Sequence, residues 1–121
     1  MILEGTDTPI LLDDRLKERN FGGYEGFQNI RQHPEVPGNR IFTDPVNYVP
    51  ENGVESMEHL ISRTGDCFRE AVKPLLDDGK NVLVVCHGGS SRAFIMNAAP
   101  FPMEEYWTGG LKNCEIRKVL D

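Results

Sequence analysis

Apolar residues recur at helical spacing over residues 56–77. Met57, Leu60, Ile61, Thr64, Cys67, Phe68, Ala71 and Leu75 fall three or four positions apart and mark one face. Ser56 stands where an N-cap is needed, with Glu58 in the first turn and His59 at the third helical position. Pro74 kinks or tightens the last turn, and Asp77-Asp78-Gly79-Lys80 ends it. The pattern then changes. Val82, Leu83, Val84, Val85 and Cys86 form a continuous apolar run rich in β-branched residues, which predicts a strand buried on both faces. His87-Gly88-Gly89-Ser90-Ser91 turns into a second helix over about 91–98, stopped before Pro100, and residues 113–120 predict a last strand. Earlier in the chain, Pro9–Leu12 predicts a short strand or extended lead-in, and the glycines at 22, 23 and 26 mark a loop. Pro34, Pro37, Pro45 and Pro50 make residues 33–53 irregular, preceded by a short helix near Asn29–Gln32. A long loop between two patterned regions reads as a lid or pocket wall. Helix, buried strand, tight turn, helix and strand in that order predict an α/β domain with a mainly parallel sheet.

Charge narrows the function classes. With 13 Lys and Arg against 19 Asp and Glu, the net charge is −6. Such a chain has no general attraction for nucleic acid or anionic membranes, so any anion site must be local. At 121 residues it suits one domain with its own core. Cys67, Cys86 and Cys114 form no Cys-x-x-Cys pair, and two of them adjoin apolar runs. Buried, reduced thiols in the cytoplasm are expected, with no disulfide, metal or cofactor. The first residues carry no basic region or long apolar segment, and no run reaches membrane-spanning length.

The chemistry concentrates at Val84–Arg92. A buried strand ends at His87, glycines let the backbone turn closely, and a helix begins at once. The free N–H groups and positive dipole end of that helix offer an anion site built from Gly88, Gly89 and Ser90, with Arg92 one turn in. Taken alone, this motif reads equally as a strand–helix turn with an incidental histidine.

Three further motifs change that balance. Leu16-Lys17-Glu18 with the glycine-rich Asn20–Gly26, Gly53-Val54-Glu55-Ser56, and Asn113-Cys114-Glu115-Ile116 join His87-Gly88-Gly89 with Arg92 in one order along the chain. Together they resemble the histidine phosphatase, or phosphoglycerate-mutase-like, superfamily. The resemblance implies a three-layer α/β fold and phosphomonoester chemistry through a phosphohistidine. It implies His87 as the second active-site histidine, Glu18 as proton donor to the leaving oxygen, and Arg19 as a substrate-side contact. Gly88, Gly89, Ser90 and Arg92 would hold phosphate. The short stretch between Glu18 and His87 resembles the small phosphatases more than the mutases. The ligand implied is a phosphorylated small molecule or inorganic phosphate.

The family's nucleophile lies in an Arg-His-Gly motif, and here His33, His59 and His87 follow Gln32, Glu58 and Cys86. Residues 1–121 are therefore expected to be the C-terminal part of such a domain, a remnant starting inside it and inactive by itself, with Met1–Gly5 the tail of a helix. The strand over Asn81–Cys86 would lose a neighbour and recruit another copy, giving a homo-oligomer. Plainer roles are expected elsewhere. Glu18 and Arg19 in isolation read as an exposed ion pair, His59 as a helix-surface residue and His33 as a loop residue. Tyr106 and Trp107 read as packing, and Met57, Met96 and Met103 as core candidates.

Overall fold

The computed structural model describes residues 4–120. Its α-helices are α1 (Arg40–Thr43), α2 (Met57–Cys67), α3 (Lys73–Asp77) and α4 (Gly88–Ala98), joined by loops and single 3-10 turns. The helical periodicity of 57–77 is realised in three joined pieces. Ser56 is the N-cap, its Oγ accepting the His59 N–H at 3.0 Å. Between α2 and α3 the chain widens into a π turn, Phe68–Val72, immediately before Pro74. Proline removes an N–H and crowds the carbonyl four residues back, and an i→i+5 turn accommodates both effects. The short helix expected near Asn29–Gln32 is a 3-10 turn at Ile30–Gln32.

Helices α2 and α4 cross closely and enclose the core. Gly65 makes the approach possible, since a Cβ there would lie 2.4 Å from the Asn97 side chain. Asn97 Nδ2 in turn donates to the Ile61 carbonyl at 2.9 Å. One apolar cluster joins Leu60, Ala93 and Tyr106, with Met57, Met96 and Met103 packed against it. A second joins Cys67, Val72 and Phe94, where Phe68 meets Phe94 edge to face at 5.7 Å. Fully burying a side chain such as Leu60 contributes roughly 1.5–3 kcal/mol.

The expected α/β architecture, a three-layer remnant with a mainly parallel sheet, is not what is found: no strand or sheet forms among the described residues. Val82 and Val84 pack on the second cluster, while Leu83 and Val85 remain 48% and 71% exposed. The segment thus lies over the helices as a single layer, with one face covered. An apolar run encodes the wish to be buried, but a strand also requires a second extended segment to receive its N–H and C=O groups. Neither expected companion supplies one. Asn113 and Cys114 form a turn, with Cys114 at φ 63°, and Pro9–Leu12 is irregular with Leu12 95% exposed. Residues 1–3 of the expected helix tail lie outside the described residues, and Glu4-Gly5 forms a turn. No helix among the described residues is long and apolar enough to cross a membrane.

Candidate functional site

The site is assembled by one arginine of α2. Arg63 lies two helical turns beyond Glu55 and grips it through both carboxylate oxygens, Nε to Oε2 at 2.7 Å and Nη2 to Oε1 at 2.9 Å. The same guanidinium donates to the carbonyls of Arg15 (2.7 Å), Lys17 (2.8 Å) and Glu18 (3.2 Å). It therefore fastens the whole 15–18 segment onto α2. Burial opposes ionisation of Glu55, but hydrogen bonds from Arg63, His59 and the Asn20 N–H outweigh it and hold its carboxyl down at about 2.

Held this way, Glu18 reaches α4. Its carboxylate accepts the Gly89 N–H at 3.0 Å and the Ser90 N–H at 2.9 Å, and also its neighbour Arg19 N–H at 2.7 Å. These are first-turn donors that no carbonyl within the helix can satisfy. Position 89 must be glycine for this contact, because a Cβ would stand 2.6 Å from Glu18 Oε1. His87 is the N-cap of α4, its own N–H donating to Ser90 Oγ at 3.2 Å, and it is exposed at the surface. The helix begins at Gly88, three residues earlier than the apolar pattern predicts, because the glycines and Ser90 make its first turn. Beneath it, the buried Tyr106 O–H donates to the Gly89 carbonyl at 2.6 Å, and burial pushes that phenol up. Trp107 fixes the neighbouring wall by donating Nε1–H to the Ile41 carbonyl at 2.8 Å.

The expected site residues thus divide. Glu18, His87, Gly88, Gly89 and Ser90 come together at the start of α4. The Arg19 guanidinium forms no ion pair with the Glu18 carboxylate, which meets Arg19 only at its backbone N–H. Arg19 is 3% exposed and donates Nε–H to the Glu55 carbonyl at 2.9 Å, beside a cavity of about 300 Å³ at the N-terminus of α2. Arg92 turns toward the 105–108 loop, donating to the carbonyls of Tyr106 (2.7 Å), Glu105 (3.0 Å) and Thr108 (2.8 Å) and lying 4.2 Å over the Phe101 ring. The other histidines stand apart: His33 pairs with Glu35, and His59 with Glu55. Burial raises the Cys86 thiol and lifts Cys67 to about 11, so neither is a ready thiolate. Among the described residues no three His, Cys, Asp or Glu side chains cluster as metal ligands.

Reading the sequence by motif missed Arg63, gave Glu55 no role beyond its place in Gly53–Ser56, and read Tyr106 as packing. A signal was available for the Glu55–Arg63 pair, since the two lie eight residues apart at the start and on one side of a strongly periodic helix.

Comparison with known proteins identifies the family. The family profile described as Histidine phosphatase superfamily (branch 1) matches residues 1–120. A 2,3-bisphosphoglycerate-dependent phosphoglycerate mutase of Cytophaga hutchinsonii is 32% identical over 103 residues, covering 84% of this chain and 48% of the relative. A putative phosphoserine phosphatase 2 of Hydrogenobacter thermophilus is 30% identical over 120 residues, covering 93% and 54%. A further mutase of the first kind, from Chlamydia abortus, is 33% identical over 100 residues, covering 80% and 43%. The chain spans about half the length of the curated relatives it matches. No solved structure matches it. With a family profile covering nearly every residue and a glutamate, a histidine and two glycines meeting at one helix start, the chain belongs to the histidine phosphatase superfamily, branch 1.

Proposed function

We propose that this chain is the phosphate-handling C-terminal part of a histidine-phosphatase domain, which binds a phosphomonoester or inorganic phosphate but does not turn it over by itself. The observation that carries the reading is Glu18, brought from far along the chain onto the Gly89 and Ser90 N–H groups at 3.0 and 2.9 Å, beside His87. Glu18 occupies the donors that a phosphoryl oxygen would use. An incoming phosphate exchanges with it: the N–H groups and His87 take the phosphoryl oxygens, and the released Glu18 carboxylate, once it takes up a proton from solvent, stands beside the leaving oxygen as the group that can donate it. Arg63 and Tyr106 are positioning residues, one holding the Glu18 segment and the other the Gly89 carbonyl.

Covalent phosphoryl transfer needs a histidine to attack and a second group to hold the phosphate. His87 alone stands at the site among the described histidines, and without an attacking partner the uncatalysed hydrolysis of a phosphate monoester is extremely slow. Support for a small phosphorylated ligand comes from the names of the relatives, a phosphoglycerate mutase and a putative phosphoserine phosphatase. Three free cysteines and the acidic charge fit a cytoplasmic protein. An aryl phosphate assay on the wild type and His87→Ala tests the reading. Neither is expected to release product above the buffer rate. Robust turnover in the wild type, abolished in His87→Ala, would overturn it.

A further inference from the structure

We infer that the cavity between the glycine-rich loop and α1 is an aromatic cage for a small organic cation, one with a methylated ammonium head. The row of rings follows from the backbone. Phe21, Tyr24 and Phe27 stand three residues apart. The Tyr24 N–H donates to the Phe21 carbonyl and the Phe27 N–H to the Tyr24 carbonyl, both at 3.0 Å. Successive i→i+3 turns of this kind bring side chains three apart onto one side. Gly22 and Gly26 make the turns possible, at φ 55° and 78°. Phe42 closes the cavity from α1, its ring stacked on that of Phe21 at 5.9 Å, and the buried Ile30 and Ile41 complete the lining. The space is about 180 Å³, below the roughly 300 Å³ at which pockets for drug-sized ligands begin, so it fits a compact head group.

Charge selects a cation. Glu25 lines the cavity, accepts the Phe21 N–H through Oε1 at 2.7 Å and forms no ion pair among the described residues. Tyr24 O–H donates to both oxygens of Glu51 at 2.9 Å. Glu51 also accepts the Tyr48 O–H at 2.8 Å and likewise has no cationic partner among those residues. A phenol that donates to a carboxylate has a ring richer in electrons, which strengthens its pull on a cation. The cations bordering this wall are Arg31, Arg40 and His33. Arg40 is paired with Asp44 and His33 with Glu35. Arg31 lies 4.5 Å over the Phe42 ring and 5.4 Å over that of Trp107, so the same aromatic wall already holds one cation by its ring faces. Its charge opposes that of a ligand, but two unpaired carboxylates against one unpaired guanidinium leave the surroundings negative. A methylated ammonium is weakly hydrated and is the cation that aromatic cages recognise best.

Isoleucine methyl NMR reads this cavity. Ile30 and Ile41 line it, while Ile61 packs against the core and serves as the reference. Choline and neohexyl alcohol, its uncharged carbon isostere, are titrated at constant ionic strength. Choline is expected to bind saturably, moving Ile30 and Ile41 with Ile61 still, and its own methyl protons are expected to shift upfield over the rings. The alcohol is expected to bind about tenfold more weakly. Glu25→Gln keeps an acceptor for the Phe21 N–H but removes the charge, and is expected to weaken choline about threefold. Phe27→Leu removes a ring that is 43% exposed and is expected to cost a similar factor of about three. Should Glu25→Gln not fold, Phe27→Leu and the comparison of choline with the alcohol on the wild type still decide. No saturable shift with choline, equal binding of the alcohol, or unchanged affinity in either variant would each overturn the inference. A response at Ile41 and Met57 without Ile30 would put the ligand in the cavity at α2 instead and would overturn it too.

Discussion

Replacing Glu55 by glutamine removes the charge that Arg63 grips while keeping the side chain's shape. The Glu55 carboxyl lies at about 2 rather than the ordinary 4.5. Each pH unit of that difference corresponds to about 1.4 kcal/mol, so its ionised state contributes on the order of 3 kcal/mol of stability. The geometry agrees, because the side chains of Glu55 and Arg63 are only 9% and 16% exposed. Removing one partner of a buried pair costs about 3–5 kcal/mol, and slight access to water places this pair at the lower end. Glu55→Gln is therefore expected to lower the urea unfolding free energy by about 2–3 kcal/mol near neutral pH. The sign with pH follows from a depressed carboxyl. The contribution is complete above 4.5 and is lost as pH falls toward about 2. The gap between wild type and variant must narrow to about 1 kcal/mol near pH 3. Asp13, held at about 2 by the hydrogen bond from Arg15, titrates in the same window but cancels in the difference. A gap that stays constant down to pH 3, or one below about 0.5 kcal/mol at neutral pH, would refute the reasoning.

Glu18→Ala frees the Gly89 and Ser90 N–H groups. It is expected to cost about 1 kcal/mol of stability, as loss of a helix cap does, while raising phosphate-induced stabilisation in thermal melts. Arg92→Ala breaks three bonds to the 105–108 carbonyls and is expected to lower stability by about 3 kcal/mol in urea unfolding, without changing the phosphate response of the His87 ring. A thiol reagent is expected to label exposed Cys114 first and Cys67 last, with peptide mapping as the check, because Cys67 is 1% exposed and its thiol is raised to about 11. Sedimentation over a range of concentrations is expected to reveal self-association, since Leu83 and Val85 are bared on an extended segment that pairs with no other among the described residues. A monomer at every concentration would contradict that expectation.

What was legible in the sequence was local. Ser56 announces a helix start because its hydroxyl finds an N–H three residues on, whatever surrounds it. Pro74 announces a disturbance that appears as the π turn before it. Gly89 reads as a place where backbone must come close to something, and that something is the Glu18 carboxylate. What was not legible depends on partners far along the chain. Val82–Cys86 carries the composition of a buried strand, yet composition does not provide the neighbouring segment that completes a sheet. The motif placed Glu18 and Arg19 side by side, but only the fold sends one to α4 and the other to α2. Arg92 follows the glycine turn at a spacing that suits phosphate, while its guanidinium is drawn to three loop carbonyls. The Glu55–Arg63 pair was hidden because charged residues on a helix are most often solvated, and nothing in their spacing says that three carbonyls of the 15–18 segment lie within reach.

The most direct test of phosphate handling at the start of α4 is a titration of inorganic phosphate followed on the ring resonances of His33, His59 and His87. The three rings occupy different settings, so two serve as references for the third. His87 is expected to shift saturably, with His33 and His59 unmoved and the Gly89 and Ser90 amides shifting in step as Glu18 gives way. A His87 ring that does not respond, or three rings that move alike, would contradict the account.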